Sequence, residues 1–407
     1  MKMTKLDKQL SDQVRELIDE NRAKGREYII TDVVPPAGHK GPRYRLKGFK
    51  QEFIKMNSNS YLGLSMHPEL IEAEEQASRR FGVGPGAVRF ISGSYREHID
   101  LEDTLADFHG KEAAMIFSSA YVTSLGVISS LITPETVVIS DALNHNCIIN
   151  ALRMSRPALK MIYKHNNMHD LKDKISDSIG KGKRCLLITD GIFSMRGDHA
   201  PLDIISALCK DADENFEEGV TLIVDDSHGV GACGDTGRGT EELTGSSVDI
   251  LIGTLGKAFG VNGGYVTGSK ALINFLRETA PTYIYSNPIT VSESAAAKRS
   301  IEILRSKEGQ DRLDFLKKLT ARFRKGLENT GFETIAGEHP VVPLMVGDTR
   351  KTAELVAYLR EQGILATGLN FPVVPKGEEE IRFQICADHT ETDIDQVLTV
   401  LEKYMEK

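Results

Sequence analysis

The sequence predicts an α/β fold: a large domain on a mainly parallel seven-stranded sheet, followed by a smaller α+β C-terminal domain. Three observations carry this. Between residues 113 and 267, short apolar runs alternate with helical stretches, as in a parallel sheet covered on both faces. Five of the apolar runs end in polar clusters, and in such sheets ligands collect beyond the carboxyl ends of the strands. After about residue 290 the alternation gives way to long helical stretches.

The bulk properties narrow the class. The chain has 407 residues, 40% hydrophobic and 27% charged, with a net charge of −8. That balance suits a soluble protein and argues against nucleic acid as the main partner. Five dispersed cysteines, Cys147, Cys185, Cys209, Cys233 and Cys386, show no Cys-x-x-Cys spacing. They read as reduced thiols in a cytoplasmic protein, with no disulfide frame and no metal site. The opening residues lack an apolar signal core, and no run of about 18 apolar residues suggests a membrane span.

In chain order, residues 4–24 place Leu6, Leu10, Val14 and Leu17 at helical spacing. This amphipathic helix needs something to lie on, such as a partner subunit. Residues 25–60 read as a linker with short strands, interrupted by Pro35, Pro36, Gly38, Gly41 and Pro42. A helix is expected over Pro68–Arg80, with Pro68 in its first turn. The glycines of residues 82–94 forbid a regular element and suggest a loop at a site.

The seven strands are expected at Ala113–Phe117, Thr136–Ile139, Lys160–Tyr163, Arg184–Thr189, Thr221–Val224, Ile250–Gly253 and Gly264–Thr267. Helices over His98–Phe108, Tyr121–Leu131, Ile148–Met154 and Leu171–Ile179 separate them. Beyond them, helices over Ser292–Arg305 and Asp311–Asn329 lead to strands Val341–Val346 and Ile381–Ile385 around a helix Thr352–Gln362. The expected division is an N-terminal helix and arm over residues 1–60, a large domain over 61–290 and a small domain over 291–407. The arm is expected to pack with the small domain or a partner.

The chemistry centres on Lys257, in Gly253-Thr254-Leu255-Gly256-Lys257-Ala258. An apolar strand delivers this lysine into a glycine-rich turn that a bulky ligand can approach closely. Lysine forms Schiff bases when its surroundings lower its pKa. Thr254 offers a hydroxyl to a phosphate on the same ligand. Upstream, Asp225-Asp226-Ser227-His228-Gly229 closes another apolar run. A Schiff-base lysine, an acid for a pyridinium nitrogen and a phosphate cradle are the parts of a pyridoxal 5'-phosphate (PLP) site.

Other motifs are weaker. Gly229-Val230-Gly231-Ala232-Cys233-Gly234 matches Gly-x-Gly-x-x-Gly, but four polar residues separate it from its strand and no helix opens on it, against a dinucleotide site. His165 and His169 stand four apart with no third ligand nearby, so both read as surface histidines. His145 follows a strand and precedes a helix in the row of strand ends, which suggests a ligand-facing role. Arg382, on the apolar strand around Ile381 and Phe383, is costly to bury unless an anion such as a substrate carboxylate meets it.

Together these residues resemble the α-oxoamine synthase family, the PLP-dependent acyl-CoA transferases of fold type I. The resemblance runs from Asn59-Ser60-Tyr61-Leu62-Gly63-Leu64 to Cys386-Ala387-Asp388-His389-Thr390. Val88-Arg89-Phe90-Ile91-Ser92-Gly93, Ser140 to His145 and Gly237-Arg238-Gly239 add to it. It implies that Lys257 binds PLP covalently, Asp225 pairs with the pyridinium nitrogen, His228 contacts the phenolic oxygen and His145 stacks on the ring. It implies that Ser194 and Thr254 help hold the cofactor, with Thr254 on the phosphate. The N-terminus of the helix at Ala120 and Tyr121 would meet that phosphate. Ser286 and Asn287 resemble a segment reaching the site from the other subunit of a homodimer. Asn59 and Arg382 would take an amino-acid carboxylate, beside His145.

Within the family, Phe371 to Gly377 and Asp141 to His145 are similar to glycine C-acetyltransferases, also called 2-amino-3-ketobutyrate CoA ligases. The implied reaction joins an amino acid, glycine, to an acyl-CoA, acetyl-CoA, giving a 2-amino-3-oxo acid and CoA. Ser60 and Ala120, a short loop at Gly260–Gly264 and an apparent insertion over residues 211–219 depart from that pattern. The rival expectations are an 8-amino-7-oxononanoate synthase or a serine palmitoyltransferase-like enzyme. More distant ones are a fold-type-I aminotransferase and a non-catalytic binding subunit.

Overall fold

The computed structural model describes residues 3–20, 23, 27–371 and 373–406. The chain divides into two compact units, one of residues 59–317 and one of residues 1–58 with 318–407.

The second of these begins with helix α1 (Lys5–Asp19), opened by a capping box in which Thr4 and Asp7 bond each other's backbone N–H. It buries no residue, and Leu6, Leu10, Val14 and Leu17 are all exposed. Strands β1 (Ile30–Val34), β2 (Arg43–Leu46) and β3 (Glu52–Lys55) follow as an antiparallel set.

The large unit opens with helix α2 (Pro68–Phe81), a single turn α3 (Arg89–Ser92) and α4 (Arg96–His109). The turn α3 was not expected in the glycine-rich stretch. It forms because no glycine falls between Gly86 and Gly93, which caps its end, and buried Arg89 is pinned by Glu102 through contacts of 2.6 and 3.1 Å. Burial pushes the Glu102 carboxyl up, but Arg89 and Arg277 outweigh it and hold it below its ordinary range. Then come β4 (Ala113–Phe117), α5 (Ala120–Leu131), β5 (Thr136–Asp141), α6 (Asn146–Met154), β6 (Leu159–Tyr163), α7 (Met168–Ser178), β7 (Arg184–Asp190), α8 (Leu202–Ala212), β8 (Val220–Asp225), α9 (Thr240–Thr244), β9 (Ile250–Thr254) and β10 (Gly264–Gly268).

These seven strands form one sheet in the order β4-β10-β9-β8-β7-β5-β6. Pairing from β9 through to β6 is parallel, whereas β10 runs antiparallel to both β9 and β4. Side chains alternate along each strand. Val138, Leu186, Ile188, Ile223, Ile252 and Val266 therefore share one face, packed against Val127, Ile128 and Ile148 of α5 and α6. The register aligns the strand ends: Asp190 lies opposite Asp225, and Gly264 opposite Thr254 and Phe117.

Helices α10 (Lys270–Thr279), α11 (Pro281–Ile284) and α12 (Val291–Leu304) complete this unit. The division between units then falls within α13 (Lys307–Asn329), not near residue 290. The reason is packing: α12 lies along α2 and α4, with Ala296, Ala297 and Ile301 buried.

The smaller unit adds β11 (Val341–Met345), α14 (Thr349–Glu361), β12 (Ile364–Leu365), β13 (Thr367–Leu369), β14 (Glu380–Gln384) and α15 (Glu391–Met405). Here β12 runs parallel to β3, and β14 sits between β11 and β13. The N-terminal arm is tied in by Gly41 N–H donating to Asp393 Oδ2 at 2.9 Å, beside an Arg43–Asp393 ion pair. No helix among the described residues is long and apolar enough to cross a membrane.

Candidate active site

The strand ends of the large unit build one pocket. Ala120, Tyr121, His145, Cys147, Asp190 and Ile192 line it, with Ser194, Asp225, Ser227, His228 and Lys257, around about 350 Å³ of space. One wall is the start of α5. Its cap is Ser119, whose hydroxyl accepts the Val122 N–H at 3.4 Å. The N–H groups of Ala120 and Tyr121 fall in the first turn, where a helix has no internal acceptors. Gly264 backs this turn so closely that a Cβ there would sit 2.3 Å from the Ala120 nitrogen.

Asp225 ends β8 and is buried. Its Oδ2 accepts the Ser124 hydroxyl at 2.9 Å and the Cys147 thiol at 3.5 Å, and its Oδ1 accepts the Ser227 N–H at 3.1 Å. The adjacent Asp226 points elsewhere. It accepts the N–H and hydroxyl of Thr240 at 2.6 and 2.5 Å, in a hollow where a Cβ on Gly191, Gly229 or Gly239 would collide with it. Burial raises that carboxyl to about 7, with Thr240 pulling the other way. Of the Gly-x-Gly-x-x-Gly pattern, Gly229 makes room for this aspartate, whereas Gly231 and Gly234 pack against Ala258 and Glu242. Nδ1 of His228 lies 2.7 Å from the Tyr61 hydroxyl.

The His145 backbone N–H donates to Asp190 Oδ2 at 3.0 Å. Asn144 locks that aspartate in place, accepting the Asp190 N–H and donating to Ile188 O and Ser140 Oγ, all at 2.8 Å. Because the Cys147 N–H donates to His145 Nδ1 at 3.3 Å, the neutral imidazole carries its proton on Nε2. Burial, then the nearby Asp225 carboxylate, push the Asp190 carboxyl well up; the His145 N–H and the Lys257 charge oppose them.

Lys257 is half-buried in a turn closed by Gly260 N–H donating to its carbonyl at 3.0 Å. Thr254 is buried beneath. Its hydroxyl accepts the Gly256 N–H at 3.1 Å and donates to Gly263 O at 3.2 Å, inside the loop itself.

Seven of the expected residues therefore line one pocket: Ala120, Tyr121, His145, Ser194, Asp225, His228 and Lys257. Thr254 stands behind the lining. Asn59 reaches it through Tyr61, whose hydroxyl lies 3.3 Å from Asn59 Oδ1. Half-buried Ser286 and exposed Asn287 lie outside it, after α11. Arg382 belongs to the smaller unit, half-buried at the centre of β14 between Pro343 and Thr367. Ser124, Cys147, Asp190, Ser227 and Tyr61 were not singled out from the sequence. Asp190 and Ser227 sat within the polar clusters already marked, whereas Ser124 and Cys147 carried only the pattern of ordinary helix residues.

His165 is not a surface residue. Its side chain is 18% exposed and lies between two aspartates, whereas that of His169 is 89% exposed beside Asp173. Both look alike in sequence because solvent access there is decided by loops more than 20 residues away.

The aminotransferase class I and II family model matches residues 51–401. The chain is 40% identical over 361 residues to an 8-amino-7-oxononanoate synthase of Bacillus pumilus, covering 88% of this chain and 89% of that one. It is 39% identical over 359 residues to the mitochondrial 2-amino-3-ketobutyrate coenzyme A ligase of Homo sapiens, covering 88% and 83%. The chain belongs to the aminotransferase class I and II family, among its α-oxoamine synthases. A Sphingomonas wittichii serine palmitoyltransferase superposes with a TM-score of 0.88 at 26% identity, over 99% of this chain and 98% of that one. A serine palmitoyltransferase from S. paucimobilis, solved with PLP and myriocin bound, gives 0.88 at 25%, over 99% of both. This synthase therefore has the PLP-dependent transferase fold type I and is a PLP-dependent acyltransferase.

The pocket suits that cofactor on its own terms. Asp190 Oδ1 and Ser227 Oγ, both at the lining, are buried without a protein partner. The α5 N-terminus offers anion-binding N–H groups. Asp225, held by three donors, offers a carboxyl group fixed in place for a ring nitrogen.

Proposed function

We propose that the chain condenses glycine with acetyl-CoA, releasing CoA and a 2-amino-3-oxo acid, and works in the cytoplasm as a homodimer with its active site at the subunit interface. What carries the reading is that Lys257 and Asp225 face one pocket with His145, at the N-terminus of α5. The acetyl preference is supported by the likeness of Asp141–His145 and Phe371–Gly377 to glycine C-acetyltransferases, although Pro372 lies outside the described residues. The human relative points the same way. A second reading, 8-amino-7-oxononanoate synthesis, is favoured by the Bacillus pumilus relative at nearly equal identity.

In this reading Lys257 Nζ would hold PLP covalently, with Asp225 towards its ring nitrogen, His228 and Ser194 towards its phenolic oxygen and His145 against the ring. The N–H groups of Ala120 and Tyr121, with Thr254, hold the phosphate. Ser286 and Asn287 come from a second copy of the chain. Bound PLP supplies an electron sink that makes the amino acid's α-proton acidic. With the substrate bound, Lys257 Nζ would take that proton as a general base. Asp225, oriented by Ser124, Cys147 and Ser227 donors, would stabilise positive charge opposite it. His145 Nε2–H faces the substrate as a donor. Asn59 and Arg382 hold the substrate carboxylate. The α-carbon would then bond to the acyl carbon as the C–S bond breaks, and CoA would leave as its thiol with the proton that Lys257 took from the α-carbon.

The test is thiol release from acetyl-, pimeloyl-, succinyl- and palmitoyl-CoA with glycine, alanine and serine. Fastest turnover with glycine and acetyl-CoA is the expected result. Preference for pimeloyl-CoA with alanine would replace it with the second reading, and 2-oxo-acid transamination without CoA would overturn both.

A further inference from the structure

The loop between β6 and α7 contributes no residue to the pocket lining, yet it grips two of the loops that do. On one side, Asp141 ends β5, and its Oδ1 accepts the Leu143 N–H at 2.8 Å, setting the turn that presents His145. On the other, the segment after β7 folds back on itself: Phe193 N–H donates to Asp198 O at 2.9 Å, enclosing Ser194.

His165 stands between them. Its Nδ1 lies 3.0 Å from Asp141 Oδ1 and its Nε2 lies 3.0 Å from Asp198 Oδ2. Ionised carboxylates only accept, so each contact asks a ring nitrogen to donate, and both can donate only in the imidazolium. The neighbouring residue repeats the pattern. Asn166 donates its backbone N–H to Asp141 Oδ2 at 3.0 Å and its side-chain amide to His199 O at 3.0 Å. To do so it takes a left-handed backbone, φ +49°, an uncommon conformation outside glycine. Such strain persists where surrounding contacts over-determine it. The Phe193 ring meets the imidazole edge-on, with centroids 4.3 Å apart.

We propose that His165 and Asn166 form a positioning staple, which fixes the separation of His145 and Ser194 through one cationic imidazole shared by Asp141 and Asp198. The inference rests on the PLP-pocket reading above. Burial alone would lower the imidazole's pKa, but the two carboxylates outweigh it and hold it at about 9. The charged and titratable groups around it are Asp141 at the end of β5, Asp198 and Arg196 after β7, and the buried Tyr163 hydroxyl of β6 beside Asp141. Burial pushes the Asp198 carboxyl up, but His165 and then Arg196, 3.2 Å away, outweigh it and hold it below its ordinary range.

The experiment uses the PLP-loaded enzyme with ring-labelled histidine and compares wild type, Asp198→Asn and His165→Gln. The NMR signal absent from His165→Gln identifies His165. In wild type it should titrate near pH 9, and Asp198→Asn should lower that midpoint by at least one pH unit. Both variants should lose kcat on the order of 10- to 100-fold, as a misplacement of about 1 Å produces. They should also weaken the visible circular dichroism of the bound cofactor, while the acyl-CoA KM changes less than threefold. Wild-type dichroism and kcat in either variant, with only a lower melting temperature, would overturn the staple. So would a His165 midpoint near that of a free imidazole. A protein that takes up no PLP would sink the functional reading instead, since the His165 titration would be unaffected.

Discussion

The Tyr61 hydroxyl stands 2.7 Å from Nδ1 of His228 and 3.3 Å from Oδ1 of Asn59. One buried oxygen thereby ties the proposed carboxylate-binding asparagine to the proposed cofactor-facing histidine. Tyr61→Phe keeps the ring, which is fully buried, and removes this link. The expected result is roughly a tenfold loss of kcat, with about 1 kcal/mol of stability lost. Steady-state kinetics and thermal melts on the same preparation check both. An unchanged kcat would detach His228 from the chemistry.

Lys257→Ala should be colourless after reconstitution and inactive, whereas Asp225→Asn should take up the cofactor and lose on the order of 100-fold or more in kcat. Visible absorbance separates the two outcomes before any assay is run. A coloured, active Lys257→Ala protein would refute the Schiff-base assignment.

Two glycines near the pocket should behave differently. A Cβ on Gly264 would meet the Ala120 nitrogen at 2.3 Å and the Ser119 carbonyl carbon at 2.4 Å, whereas one on Gly256 meets nothing nearer than 3.5 Å. Backbone cannot yield as a flexible side chain does. Gly264→Ala should therefore cost about 1–3 kcal/mol and weaken cofactor retention, measured by dialysis. Gly256→Ala should change stability by no more than about 0.5 kcal/mol.

Arg382→Ala should raise the amino-acid KM by the equivalent of about 2–5 kcal/mol and leave the acyl-CoA KM nearly unchanged. If the amino-acid KM holds while the melting temperature falls, Arg382 serves β14 and not the substrate.

Stability should also fall on the alkaline side. His165 binds its proton more tightly folded, with a pKa of about 9, than an exposed imidazole near 6.5 does. Its contribution is fully present below about pH 6.5 and is lost as pH climbs through about 9, on the order of 3 kcal/mol in all. Thermal melts from pH 6.5 to 10 should show a decline in wild type that His165→Gln flattens.

The strands and the residues lining the pocket were legible because five of the seven apolar runs end in polar clusters, and the alternation of strand and helix locates them. Asp225 could be separated from Asp226 only by family resemblance. What distinguishes them physically is the Thr240 pair and three glycines that claim Asp226, contacts set by distant chain. Ser124 was hidden for a related reason. It is a helix residue one turn in from Ala120, and only the close packing of α5 on the sheet brings it to Asp225. His165 was misjudged because a histidine in a polar loop looks solvated until the loops on either side of it are placed. The boundary was placed near residue 290 because the strand–helix alternation stops there, yet α12, read as a helix leading into the small domain, packs on α2 and α4 within the large unit.

The reversed direction of β10 sets the tolerance of the lysine's position. A parallel neighbour to β9 would demand a crossover of about a dozen residues or more, with freedom to wander. β10 instead turns straight back, so Lys257 rides a hairpin whose two feet, Thr254 and Gly264, face each other across the ladder. Such a tether has no slack. Adding or deleting one residue there would either flip every side chain of β10 to the opposite face or drag the amine off its mark, so length constrains this span more tightly than composition does.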